Sequence, residues 1–430
     1  MILDATPFNL ASELALSVYG KVLDAVRSDR LVEASLERVG DALFVQGRHI
    51  DLSHYERVWI AGSGKASVQM AEAAAQILGE KLSGGLIITK SGQATSIPAI
   101  TVLEASHPIP DQSSLEAGAQ MWSFAQKLGE RDLVIYLLSG GSSALMESLH
   151  DSLSLDDLQQ TNRALLASGL DIKAMNQIRS KLSRVKAGGL ARAFDPATVI
   201  VMVLSDVIGN DLNAIGSGPF MPIPFSDVSN PAGSSLDLPA SVRQALEAGQ
   251  VLPSPKPPIE HFVIGSVSLA VHAAAEAARY LGLTPLPYAD PLKGEAREMA
   301  AKICRHTKEA SMAESCMIFG GETTIKLRGN GVGGRCQEMA AAAAKPLSGM
   351  KDVCFLACGT DGFDGPTDAA GGIVDPGSMR RAESIGVRLR DCLANNDSNR
   401  FLNACGGLVK TGPTHTNVND LVLVVHAGNE

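Results

Sequence analysis

No cysteine precedes residue 304, and the seven that follow are an odd number. Cys354 and Cys358 stand four apart, but no second Cys or His pair completes a zinc-binding spacing. Reduced core thiols in a cytoplasmic protein are the expectation. No basic tract offsets the formal net charge of −9, which argues against a general nucleic-acid binder. No apolar run approaches membrane-spanning length, so no membrane partner is expected. The opening residues, M-I-L-D-A-T-P-F, lack the basic start and apolar core of a secretory signal. Low-complexity tracts and short repeats are missing too. So are G-x-S-x-G and H-E-x-x-H, which leaves serine-hydrolase and metalloprotease chemistry without support. What remains is an enzyme-like balance, 45% hydrophobic and 19% charged, in 430 residues. That is enough for two domains.

The most informative stretch is 132–148, D-L-V-I-Y-L-L-S-G-G-S-S-A-L-M-E-S. Its continuous apolar run, 133–138, is closed by Ser139, Gly140, Gly141, Ser142 and Ser143, which predicts a strand buried on both faces in a parallel α/β sheet. The glycine pair permits a sharp turn, and the serines can cap a helix that Ala144 begins. Donors converging there would form an anion site. The plainer alternative is a tight strand–helix turn.

Around this stretch the chain alternates. A helix is expected over 8–40, then strands at 58–61, 86–89, 100–104, 133–138 and 199–204 with helices between them. Ser154 and Asp157 form a capping-box pattern, and Asp171 is expected to cap the next helix. This rhythm predicts a doubly wound parallel sheet. Residues 219–258 are rich in Pro, Ser and Gly, with one short helix near 240–249. The domain boundary is placed there, dividing 1–240 from 241–430, with 1–40 able to pack on either side. A second α/β unit is expected from 262–264 onward, with strands at 316–319, 353–357 and 421–425.

Five loops leave the C-terminal ends of apolar strands carrying Gly, Ser, Asp or Lys: 62–67, 105–111, 139–143, 205–211 and 359–365. Ligands of open parallel sheets bind at those ends. Gly62, Ser63, Gly64 and Lys65 make a strand-to-helix turn that misses the P-loop pattern, since Trp59 and Ala66 hold two of its positions. It nearly meets the dinucleotide pattern, but the next strand ends in Thr89 and Lys90 rather than in a ribose-binding acid. Lys65 suits a phosphate or carboxylate. Asn176, Arg179, Ser183 and Lys186 form a polar stripe at helical spacing, which alone reads as a solvated face. Arg335 follows G-V-G-G at a helix start, where a basic residue opposes the helix dipole, so its presence calls for a reason other than stability. Asp206, Asp211 and Asp361 can each hold Mg2+ beside phosphates, or simply close Asx-turns. His107 and His415 stand alone.

With these residues in hand, the chain resembles the MOFRL-type glycerate 2-kinase family, whose members are often labelled hydroxypyruvate reductase. The resemblance rests on G-S-G-K-A-S (62–67), S-H-P-I-P-D (106–111), L-L-S-G-G-S-S-A-L (137–145), N-Q-I-R-S-K-L-S-R-V-K-A-G-G-L (176–190) and L-S-D-V-I-G-N-D-L-N-A-I-G-S-G-P (204–219). It continues through G-G-E-T-T (320–324), G-G-R-C-Q-E (333–338) and G-T-D-G-F-D-G-P-T-D-A-A-G (359–371). Two positions depart from the family: Cys336 where Asn is usual, and Asn210 where Asp is frequent, which weakens Asn210 as a metal ligand.

The resemblance implies a Rossmann-like N-terminal domain and a mixed α/β MOFRL-like C-terminal domain, with the active site in the cleft between them. It implies transfer of the ATP γ-phosphoryl group to the 2-hydroxyl of D-glycerate, with Mg2+. Lys65 and Arg335 match the family's basic catalytic residues. Asp206 and Asp361 are candidate proton acceptors, with Asp206 taken as the catalytic one, and both are candidate metal ligands. Cofactor contacts are expected at Gly62, Ser63, Gly64, Ser139, Gly140, Gly141, Ser142, Ser143, Asn176, Arg179, Lys186, Gly320, Glu322 and Thr323, with the 139–143 turn holding either the nucleotide phosphates or the substrate carboxylate. The partners expected are ATP and D-glycerate, and a homodimer is left open. Two rival readings are an NAD(P)H-dependent hydroxypyruvate reductase and a non-catalytic sugar-phosphate sensor.

Overall fold

Continuous apolar runs become the central strands of two six-stranded sheets. The computed structural model describes residues 3–168, 170, 172–221, 236–248, 259–310 and 313–428. Asp171, the expected cap, and most of the Pro-rich stretch lie outside the described residues. By packing, the chain divides into one unit of residues 28–264 and another made of 1–27 and 265–430.

The 28–264 unit opens with a small antiparallel sheet of β1 (Leu36–Val39), β2 (Ala42–Val45) and β3 (Arg48–Asp51). Its main sheet comprises β4 (Arg57–Ser63), β5 (Leu82–Lys90), β6 (Ile100–Ala105), β7 (Asp132–Leu138), β8 (Thr198–Leu204) and β9 (Glu260–Gly265). The spatial order is β6-β5-β4-β7-β8-β9, and the pairs from β6 through β8 are all parallel. Counted from β4 this is the 3-2-1-4-5-6 Rossmann order, which reverses between β4 and β7. Register carries the consequence: Gly62 faces Leu137 and Ser63 faces Leu138. The loops G-S-G-K and S-G-G-S-S therefore leave the sheet side by side, at its switch point. Every residue of β7 is buried, as the unbroken apolar run predicts.

In the other unit the strands are β10 (Thr284–Pro287), β11 (Ser315–Gly321), β12 (Val353–Gly359), β13 (Gly371–Val374), β14 (Leu408–Val409) and β15 (Asp420–His426). Their order is β10-β11-β15-β12-β13-β14. β10 and β11 pair in parallel, whereas β15 runs antiparallel between β11 and β12. Asp420, the first residue of β15, faces both Gly321 and Gly359. It thus stands between the C-terminal ends of two apolar strands. The helices Leu10–Ala25, Val267–Tyr280 and Arg335–Leu347 pack on this sheet through small and branched side chains.

Three expectations are corrected. The single helix over 8–40 is two helices, Leu10–Ala25 and Ser28–Ser35, followed directly by β1. Its first part packs in the 1–27 and 265–430 unit and its second part in 28–264, so no continuous helix serves both. The strand at 262–264 lies in β9, at the edge of the first sheet, rather than opening the second unit. Helix Ala240–Ala248, which the 240/241 boundary would give to the second domain, also packs in the first unit, against Ile172–Leu182 and Leu155–Ala167. Leu182, Leu238 and Val242 form the small apolar core that holds it there. The Ser154–Asp157 capping box is present as expected.

Candidate active site

At the switch point, two glycines let the neighbouring loops touch. Gly64 has φ +132°, and a Cβ there would stand 2.1 Å from Ser139 Oγ. Gly141 has φ +86°, and a Cβ there would stand 3.2 Å from both His107 Nε2 and Lys65 Cγ. Neither position admits a side chain without displacement. The loops are then laced together: the Lys65 N–H donates to Gly140 O at 2.9 Å, and the Ala66 N–H donates to Ser139 Oγ at 3.1 Å. Ser63 Oγ shares hydrogen bonds with Tyr136 Oη at 2.7 Å and Ser142 Oγ at 2.6 Å. Ser143 Oγ meets Ser217 Oγ at 2.9 Å.

These serines bind the protein rather than capping a helix. The expected helix after Gly141 is a single turn, Ser142–Leu145, with no side-chain cap. An anion site here would therefore draw on side chains more than on a helix terminus. Those side chains gather in a cleft of about 170 Å3, whose polar walls are His107, Gly141, Ser143, Asn162, Arg179 and Lys186.

The basic stripe is thus not a solvated face. Lys186, 4% exposed, donates to Glu147 Oε2, and Ser183 donates to Glu147 Oε1; Glu147 is itself 1% exposed. Arg179 Nε donates to the Asn162 amide oxygen at 2.8 Å. Burial holds the Arg179 guanidinium below its ordinary pKa, with the Glu147 charge opposing. Asn176 lies three residues before Arg179 on the same helix and is not a wall of the cleft. Glu147 and Asn162 were missed from sequence. The E in A-L-M-E-S, an acid directly after a buried run, was the available signal for Glu147.

Arg335 opens helix Arg335–Leu347 in the other unit. Its Nε and Nη2 donate to Asp420 at 2.6 and 2.8 Å, and its Nη1 lies 2.9 Å from Glu322 Oε1. A guanidinium paired this way keeps its charge at any working pH. The cause of a basic residue at a helix start is thus plain: acids from β15 and from the end of β11 hold it. The helix terminus itself is served by Asp364, whose carboxylate accepts the N–H groups of Cys336 at 3.1 Å and Gln337 at 2.8 Å. A Cβ on Gly334 would stand 2.2 Å from that carboxylate. The glycines of G-V-G-G bring protein groups close; Gly331 and Gly333 likewise approach Asp397 and Ser398.

Burial pushes Asp420 up to about 6 while Arg335 pulls it down. Glu322 is engaged with Arg335, Gly320 makes room for Val267 and Val271, and Thr323 is buried with no hydrogen-bond partner for its hydroxyl among the described residues. Cys336 packs in the core. Asn210 has φ 55°, a left-handed turn position that Asn tolerates.

Asp206 follows β8, half-buried, and Asp361 follows β12, where its Oδ1 accepts the Phe363 N–H at 3.2 Å in an Asx-turn. Asp211 likewise closes a turn, onto the Asn213 N–H at 3.0 Å. Among the described residues, no group of three or more His, Cys, Asp or Glu is placed to hold a metal ion, and no helix is long and apolar enough to cross a membrane.

A parallel sheet of this order defines a Rossmann-like α/β protein, a class whose ligands bind at the switch point, where this chain carries Lys65. Residues 14–247 match a domain of unknown function, DUF4147, and residues 315–420 match the MOFRL family. The chain is 37% identical to the D-glycerate 2-kinase of Thermotoga maritima, over 96% of this chain and 97% of that one. It is 35% identical to the glycerate 2-kinase of Pyrococcus horikoshii, with the same coverage, and 32% identical to the human glycerate kinase, over 96% and 92%. The crystal structure of the Thermotoga maritima glycerate kinase superposes with a TM-score of 0.86 at 36% identity, covering 96% of this chain and 99% of that one. The chain belongs to the glycerate 2-kinase family.

Proposed function

We propose that this chain is an ATP-dependent glycerate 2-kinase, which moves the γ-phosphoryl group of ATP to the 2-hydroxyl of D-glycerate. The bond from γ-phosphorus to the bridging oxygen of ADP breaks, a bond to the glycerate 2-oxygen forms, and the hydroxyl proton leaves. The products are 2-phosphoglycerate and ADP. The observation that carries this reading is the end-to-end likeness to glycerate 2-kinases, in a chain whose Lys65 sits at the switch point of a Rossmann-ordered sheet.

Phosphoryl transfer needs positioning and positive charge more than covalent chemistry. Lys65 and Arg335 are the candidate sources of that charge. Asp206 is the candidate acceptor for the hydroxyl proton. A Mg2+ that arrives on the phosphates asks for only one or two carboxylates, a demand that Asp206 or Asp361 can meet singly; such an ion would shield the charge of the transferring group. Seven free, buried cysteines support a reducing, cytoplasmic setting. The reductase reading lacks its ribose-binding acid: β5 ends in Thr89 and Lys90.

The test is 31P NMR of the purified protein with Mg·ATP and D-glycerate. A growing 2-phosphoglycerate signal is expected, reduced about a thousandfold in folded Lys65→Ala and Arg335→Ala variants. A 3-phosphoglycerate signal would overturn the regiochemistry. Oxidation of NAD(P)H by hydroxypyruvate without any phosphoryl transfer would hand the case to a reductase.

A further inference from the structure

The cleft of the 28–264 unit treats its two cationic walls differently. Lys186 is sealed against Glu147 and Ser183, so this pair brings little net charge to the cleft. Arg179 has a neutral partner: its Nε donates to the Asn162 amide oxygen, and among the described residues no carboxylate forms a salt bridge with it. Of five guanidinium N–H groups, that bond uses one. A half-buried cation without its own acid is costly unless a ligand completes it.

Size narrows the ligand. Pockets for drug-sized molecules are roughly 300–1,000 Å3, and this cleft is about 170 Å3. An acid of a few heavy atoms fits such a space. Its polar walls are donors or neutral groups apart from the engaged Glu147 beneath them, which favours an anion. The Nη edge of an arginine matches a carboxylate in planar, bidentate fashion.

We propose that this cleft is the acceptor subsite: Arg179 holds the carboxylate of a three-carbon 2-hydroxy acid, and Asn162 positions Arg179 for it. The identity of the acid as the phosphoryl acceptor rests on the kinase reading above, whereas carboxylate binding does not. The acid's hydroxyl then points toward Gly141, where Lys65 Cγ and the His107 imidazole approach the chain. Arg179 and Lys186 are thereby reassigned from the nucleotide to the acceptor side. The nucleotide phosphates are left to the G-S-G-K turn.

Isothermal titration of the full chain tests this with D-glycerate alone and, separately, with a non-hydrolysable ATP analogue and Mg2+. Arg179→Gln should weaken D-glycerate about tenfold to a hundredfold, the usual loss for hydrogen bonds to a charged partner, and leave the analogue within about twofold. Asn162→Ala should give a smaller loss in the same direction. In the unaltered chain, glycerol, which lacks the carboxylate, should fail to compete with D-glycerate. The proposal is overturned if Arg179→Gln binds D-glycerate normally, if it loses the nucleotide instead, or if glycerol competes. Should Arg179→Gln fail to fold by circular dichroism, Asn162→Ala and the glycerol competition decide. Glycerate binding that depends on Arg179 without any phosphoryl transfer would sink the kinase reading and keep this one. Phosphoryl transfer with an unchanged glycerate KM in Arg179→Gln would do the reverse.

Discussion

Arg179 and Arg335 are both guanidinium groups at the mouth of a sheet, yet the chain treats them in opposite ways. Arg335 is gripped by Asp420 through two hydrogen bonds and by Glu322 through a third contact. Arg179 donates to the Asn162 amide, and among the described residues no carboxylate forms a salt bridge with it. The first is held in position by acids whether or not a ligand is present, which suits a group that must meet charge as it develops during transfer. The second, on the acceptor-subsite proposal, is completed by its ligand. Residue type alone would have called these equivalent; the partners separate them.

The comparison breaks most severely at Glu147. Glu147→Gln would leave the Lys186 ammonium buried without its counter-ion, as if Lys186 had been given the treatment of Arg179. Loss of one partner of a buried pair costs about 3–5 kcal/mol, so urea unfolding should show a loss of that order. A variant of unchanged stability would mean that Lys186 reaches solvent.

Asp420→Asn sharpens the other half. It keeps the shape and one acceptor but removes the charge that aims Arg335. We expect kcat to fall about tenfold to a hundredfold with the glycerate KM little changed. The pH profile separates aim from mere structure. Asp420 sits among Arg335, Glu322, Asp364, Cys336 and Cys358, and burial pushes it from 3.8 up to about 6. Below that pH it takes a proton and loosens its hold on Arg335, so the unaltered enzyme should lose activity on acidification through about 6, and the variant should lack that limb. For stability the sign is reversed. A folded-state pKa above the unfolded one means that this group's contribution is full below 3.8 and falls as pH rises through about 6. Asp420→Asn should flatten that segment of the stability profile.

Gly64→Ala is the mildest. It forces a Cβ against Ser139 at a backbone angle that glycine alone adopts readily. A loss of about 1–3 kcal/mol in thermal or urea unfolding is expected, with activity falling in parallel because the displaced loop carries Lys65. Activity that falls without any loss of stability would point to a direct ligand contact instead.

Much of the fold was legible because it is written in local signals. Unbroken apolar runs became buried strands, and the glycine and serine clusters after them became the loops at the ligand end. The small sheet of β1 to β3 escaped notice because four-residue strands carry too little periodicity to stand out beside helices. The boundary was drawn where composition changes, whereas the chain divides where packing changes, after β9 has joined the first sheet.

By itself, the sequence determined the alternation of strands and helices, the places where the chain turns, and the motifs that mark Lys65, Arg179 and Arg335. These depend on neighbours within a few residues, and so on local sterics and hydrophobic period. Only the tertiary structure decided what each cation is paired with. Arg335 meets Asp420 across 85 positions, Lys186 meets Glu147 across 39, and Arg179 meets Asn162 across 17. A charge's function depends on the dielectric and partners around it, and those come from whichever strands the sheet order brings together.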